Sequence, residues 1–166
     1  MTLWEVKADA QRGYWDFDPL VSVGPLRFGM SCGEALTALG SPEDPPAKIP
    51  QLEASETSYQ NVTMYFATGR LYCVAIDALV GPQVTVEGTP LVGRVPSEVE
   101  QWLLDYSQQQ NLELRYTHAA DPHLPDLGLI VRVQRAGDVV LSRPVFLDDR
   151  AEVSWDYVPS SEWHRF

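Results

Sequence analysis

The stretch Gly24-Pro25-Leu26-Arg27-Phe28-Gly29-Met30-Ser31-Cys32-Gly33-Glu34-Ala35-Leu36-Thr37-Ala38-Leu39-Gly40 constrains the fold more than any other part of the chain. Gly24-Pro25 closes an extended Leu20–Val23 run with a turn. Ser31 and Glu34 have the spacing of a capping box, in which hydroxyl and carboxylate satisfy backbone N–H groups that the first turn leaves orphaned. Cys32, Ala35, Leu36 and Leu39 share one helical face, and Gly40 is placed as the stop. Two turns of helix are not stable alone in water, so this helix must dock on a sheet. A looser copy follows at Gly88-Thr89-Pro90-Leu91-Val92-Gly93-Arg94-Val95-Pro96-Ser97-Glu98-Val99, with Gly88 and Gly93 at the spacing of Gly24 and Gly29.

Each copy is followed by a hairpin pattern. Val62, Met64 and Phe66 alternate with Thr63, Tyr65 and Ala67, and a turn at Thr68-Gly69-Arg70 leads into the apolar run Leu71–Ile76. That run is apolar on both faces, which predicts a central, doubly covered strand. In the second half Pro96 opens a helix whose stripe is Val99, Trp102, Leu103 and Tyr106. Leu112, Leu114 and Tyr116 then alternate, and Leu129–Gln134 and Val139–Leu141 flank a turn at Ala136-Gly137-Asp138. Val153, Trp155 and Tyr157 predict a last strand, with Glu152, Ser154 and Asp156 on its polar side. Residues 41–58, with four prolines, and 118–128 read as loops. Tyr14, Asp16 and Asp18 alternate with Trp15 and Phe17, as in a short edge strand whose acids discourage sheet-to-sheet pairing.

The expectation is an α+β fold: a pseudo-duplicated unit in a mainly antiparallel sheet, with short helices packed on one face. Residues 1–166 form one domain built from half-repeats at roughly 14–80 and 84–158. The repeat is inexact, because the glycines match at an offset of 64 and the apolar stripes at 67.

Charge narrows the partners. Twenty-three acids against 12 bases give a net charge of −11, spread along the chain, which argues against nucleic acid. No signal-peptide pattern opens the sequence and no run is long enough to span a membrane, so the expected compartment is the cytoplasm, with no membrane partner. Cys32 and Cys73 do not form a disulfide framework.

Reactive constellations are sparse. His118, Asp121, His123 and Asp126 gather in one Pro-containing stretch, the best place for a ligand pocket or a metal-dependent enzyme site. A His-x4-His spacing in a loop fixes no geometry, however, so neither a metal nor a cofactor is expected. Cys32 at a helix N-terminus has a dipole that favours thiolate, yet it lies on the apolar stripe and reads as a buried thiol. The glycine turns lack the Lys and Ser/Thr of a phosphate loop, and no Gly-x-Ser-x-Gly elbow is present. No catalytic residue is assigned, and the chain is not expected to be an enzyme. Aromatics beside acids on an open sheet face suit protein binding, and Tyr65, Tyr72, Trp155, Asp156 and Tyr157 are the expected binding residues.

The segment Val23–Gly40, with its Gly-Met-Ser-x-x-Glu core and terminal Leu-Gly, resembles the corresponding start in many small actinobacterial proteins. It is also similar to the helical start of the tandem repeats in beta-lactamase inhibitory protein and related small lipoproteins of outer-membrane assembly. The resemblance implies duplicated units that present a sheet face to a protein partner. Lacking the paired cysteines and signal peptide of exported members, this chain fits an intracellular immunity-type protein that neutralises a basic partner.

Overall fold

A computed structural model describes residues 4–41, 54–149 and 158–163. The first half supplies β1 (Tyr14–Asp18), β2 (Ser22–Val23), β3 (Leu26–Arg27), α1 (Cys32–Ala38), β4 (Ala54–Tyr59), β5 (Val62–Ala67) and β6 (Arg70–Ile76). The second supplies β7 (Gln83–Val86), β8 (Thr89–Pro90), α2 (Pro96–Gln110), β9 (Arg115–Tyr116), β10 (Pro122–Leu124), β11 (Leu129–Ala136), β12 (Val139–Leu147) and α3 (Ser160–Trp163). The fold is α+β with mainly antiparallel pairing, distributed over two sheets in the orders β3-β2-β1-β7-β8 and β4-β5-β6-β12-β11-β10-β9.

The strand order follows from the turns. Hairpins β2–β3 and β7–β8 flank β1 in the smaller sheet, and hairpins β5–β6 and β11–β12 meet at the β6–β12 pair in the larger. β1 is the odd strand. It runs antiparallel to β2 but parallel to β7, with Trp15 opposite Val84. Gly69 and Gly137 take positive φ in the two large hairpin turns.

α1 starts as its sequence predicts. The Glu34 N–H donates to Ser31 Oγ at 3.2 Å and the Ser31 N–H donates to Glu34 Oε1 at 3.3 Å. Gly40 has φ 79°, and the Ser41 N–H returns to Leu36 O at 3.0 Å. α2 ends at Asn111, also left-handed.

One apolar core joins the inner faces of both sheets with α1 and α2: Val23, Leu26, Val84, Phe66, Leu129, Phe146, Ala35 and Leu103 all belong to it. The other face of the large sheet carries a second cluster, Tyr65, Cys73, Ala75, Ile130, Val145 and Leu147, closed by Val158 with Trp163 beside it. α3 therefore packs on the opposite face from α1 and α2. β6, between β5 and β12, is the doubly covered strand that its apolar run predicts.

Three segments differ from the reading of the sequence. Residues 54–59, expected as loop, form edge strand β4, because the αL pair Gln60-Asn61 makes the tight turn into β5. Pro122–Leu124 is strand β10, pairing with both β9 and β11. β12 runs on through Pro144 to Leu147, beyond the Val139–Leu141 stretch expected from the sequence. The expected strand through Val153, Trp155 and Tyr157 lies outside the described residues.

Candidate functional site

The covered face of the large sheet holds a charged row. Register places Arg132 of β11 directly opposite Arg143 of β12. Like charges directly opposite repel, so both need partners. Arg132 Nε donates to Asp121 Oδ2 at 2.9 Å, and its Nη1 donates to the Glu162 carbonyl. Arg143 donates from Nε to Glu162 Oε1 at 2.5 Å, from Nη2 to Oε2 at 3.2 Å and from Nη1 to Gln134 Oε1 at 2.8 Å. The Tyr65 hydroxyl donates to Glu162 Oε2 at 2.6 Å. Glu162 is fully buried at 0% exposure, and both arginines are buried around it. Burial works against the Arg143 charge, but the hydrogen bond and charge of Glu162 prevail and raise its pKa. The Trp163 ring centroid stands 4.6 Å from the Arg132 guanidinium carbon.

This layer corrects the expected binding face. Tyr65 and Tyr72 are buried, not exposed, and Tyr65 spends its hydroxyl on Glu162. The cause at Tyr72 is a bulge: Tyr65 opposes Cys73 while Phe66 opposes Leu71, which leaves Tyr72 as the extra residue and turns it toward the same cluster as Cys73. Trp155, Asp156 and Tyr157 lie outside the described residues. Cys32 is buried and contacts Thr57 Oγ1 at 3.6 Å, and burial pushes the Cys73 thiol well up.

The four side chains of the 118–126 stretch do not converge on one site. His118 lies against Trp163 at 4.5 Å, Asp121 pairs with Arg132, and Asp126 is exposed. His123 is fully buried opposite Ile130 and Arg115. Among the described residues no three His, Cys, Asp or Glu side chains are arranged to hold a metal. A cleft of about 320 Å³ lined by Lys7, Trp15, Gln60 and Asn61, among others, offers neither a carboxylate nor an imidazole for acid–base work.

His123 has no hydrogen-bond partner on either ring nitrogen among the described residues. Burial, joined by the charge of Arg115 and opposed by Glu113, lowers its pKa to about 4 from the ordinary 6.5. The unfolded chain therefore takes up this proton first as pH falls. The stabilising contribution is complete above pH 6.5 and is lost on the way down to about 4. Replacing His123 by leucine should remove about 3 kcal/mol of that pH dependence. Urea denaturation of both proteins across this window measures the difference, and parallel stability curves would contradict the assignment.

On the smaller sheet, β1 sets an exposed tyrosine beside two exposed acids. β1 turns Trp15 and Phe17 toward the core and leaves Tyr14, Asp16 and Asp18 outward and exposed, Tyr14 by 62%. Asp16 stands opposite Thr85 and Asp18 opposite Ser22, so neither faces a cation across the ladder. Arg27 of β3, opposite Ser22, is the exposed cation at the far edge. Behind β1, a network fixes its neighbour. Gln83 Oε1 accepts from the Val92 N–H at 2.7 Å, and its Nε2 donates to Asp9 Oδ1 at 2.9 Å. Arg12 Nη1 and Nη2 donate to the Gly81 and Ala78 carbonyls, each at 2.9 Å.

Two sets of residues escaped sequence reasoning. Arg132 and Arg143 interrupt otherwise apolar strands, which was the available signal for a buried ionic layer. Nothing in the sequence linked them to Glu162. Comparison with family models, curated proteins and solved structures found no match.

Proposed function

We propose that the chain is a non-catalytic protein-binding module of the immunity or inhibitor type, which neutralises a basic partner through the outer face of the smaller sheet. The observation that carries the reading is β1: Tyr14, Asp16 and Asp18 stand exposed along one side of a strand whose other side is anchored in the core. Aromatic side chains supply rigid contact area, and exposed carboxylates steer a cationic partner. The net charge of −11 adds a long-range field of the same sign. Cytoplasmic residence is part of the proposal. No helix among the described residues is long and apolar enough to cross a membrane.

The test is affinity capture from an extract of the source cells at low salt, comparing the natural chain with the double variant Asp16→Lys/Asp18→Lys. Surface substitutions of this kind change stability by only about 0.5 kcal/mol, so the comparison reads binding. The expected result is a basic protein enriched on the natural chain and absent from the variant. An identical set of captured proteins on both would overturn the assignment of the face.

A further inference from the structure

A different site lies under α3. We propose that Arg132, Arg143 and Tyr65 form a carboxylate-binding site on the large sheet, which the chain's own Glu162 fills as an intramolecular ligand. The geometry resembles that of a bound ligand more than that of an ordinary helix contact. Arg143 grips the carboxylate with two donors while Tyr65 donates to one of the same oxygens. Bidentate pairing of this kind selects planar carboxylates.

The receptor side is held independently of its occupant. Asp121 fixes Arg132, and Gln134 fixes Arg143 while itself accepting from the Ala78 N–H at 2.9 Å and donating to Asp77 at 3.1 Å. All four belong to strands of the large sheet or to the segments flanking them, which are tied into the ladder. The ligand side is short. α3 is a single turn, Ser160–Trp163, held internally by the Glu162 N–H to Pro159 O bond of 2.9 Å. Among the described residues it is also held by Val158 in the apolar cluster, by the Trp163 ring over Arg132 and beside His118, by Arg132 donating to the Glu162 carbonyl, and by an exposed Ser161–Glu56 hydrogen bond. A buried ion pair is a poor way to add stability, because apolar residues of the same size do as well or better. A pre-positioned pair of guanidinium groups closed by a one-turn latch has the design of a site that opens. Its ligand is a carboxylate, either free or carried on a peptide as a glutamate followed by an aromatic residue.

The experiment uses full-length Glu162→Ala, which empties the site and leaves the donors in place. Acetate, with chloride at equal ionic strength as control, is titrated while melting temperature is followed. A fluorescent peptide of residues 158–166 is titrated in parallel. The expected result is a saturable rise in melting temperature with acetate, and peptide binding at least about tenfold tighter than that of the same peptide with Glu162→Gln. Both effects should vanish in Arg143→Met/Glu162→Ala. A response to acetate alone assigns a small carboxylate, and a response to peptide alone assigns an acidic–aromatic segment. If Glu162→Ala does not fold, Glu162→Ser, which also removes the carboxylate and leaves the pocket open, carries the same pair of titrations. No response to either probe, or a response that survives loss of Arg143, would overturn the proposal.

Discussion

Glu162→Ala should be the most damaging single change in the ionic layer, lowering stability by about 3–5 kcal/mol. The variant strips a buried carboxylate from Arg143 and Tyr65 and leaves a buried guanidinium facing its like-charged neighbour across the ladder. For a chain of this size the melting temperature should fall by roughly 10 °C. The cost belongs to the orphaned charge rather than to the pair. Glu162→Met combined with Arg143→Met should therefore recover most of the loss, and a full double-mutant cycle would measure the coupling. A loss below about 1 kcal/mol, the range of exposed pairs, would mean that the layer is solvated rather than buried.

Gly24→Ala should rank next, at about 2–5 kcal/mol, from two separate causes. Gly24 has φ 56°, a left-handed conformation that costs an L-residue with a Cβ roughly 1–2 kcal/mol. A Cβ there would also stand 2.6 Å from Trp15 Cγ, so the ring must move, and overpacking of this kind adds about 1–3 kcal/mol. Gly29 separates the two causes. Its φ is 95° but a Cβ would meet nothing within 4 Å, so Gly29→Ala should show the backbone penalty alone. Since Trp15 anchors the core side of β1, Gly24→Ala should also disturb the outward Tyr14–Asp16–Asp18 row. Equal losses for the two glycine variants would contradict the steric part of the account. Thermal denaturation of both measures it.

The local elements were legible because local chemistry writes them. Ser31 with Glu34, Gly40, Pro96 and the glycines of the large hairpins each leave a position-specific mark, and α1, α2, β5–β6 and β11–β12 stand where those marks put them. β4 is hidden because Ser55–Tyr59 alternates half-buried and exposed positions but fills them mostly with small polar residues, so no apolar period marks it. β10 was hidden because Pro122 and His123 look like loop residues, and only the ladder with β9 and β11 makes them a strand. The parallel pairing of β1 with β7 joins segments separated by most of the first half of the chain, a contact that no short-range pattern encodes.

The site was less legible for a related reason. Alternation in β5 tells which residues share a face, but it does not say what covers that face. The sequence points Tyr65 and Tyr72 toward solvent because a single turn around Glu162 leaves almost no helical signal, while the bulge at Tyr72 breaks the alternation itself. By contrast, the period of Tyr14-Trp15-Asp16-Phe17-Asp18 is legible in the sequence, with its acids outward, although β1 is a central strand rather than an edge.

The outward row of β1 is the surface proposed to meet a basic partner. The most direct measurement is the association rate constant of the captured partner with the natural chain and with Asp16→Lys/Asp18→Lys, each from low to high salt. The rate for the natural chain should fall about tenfold or more as salt rises, and the variant should associate slowly with little salt dependence. Equal rates and equal salt slopes for the two proteins would contradict it.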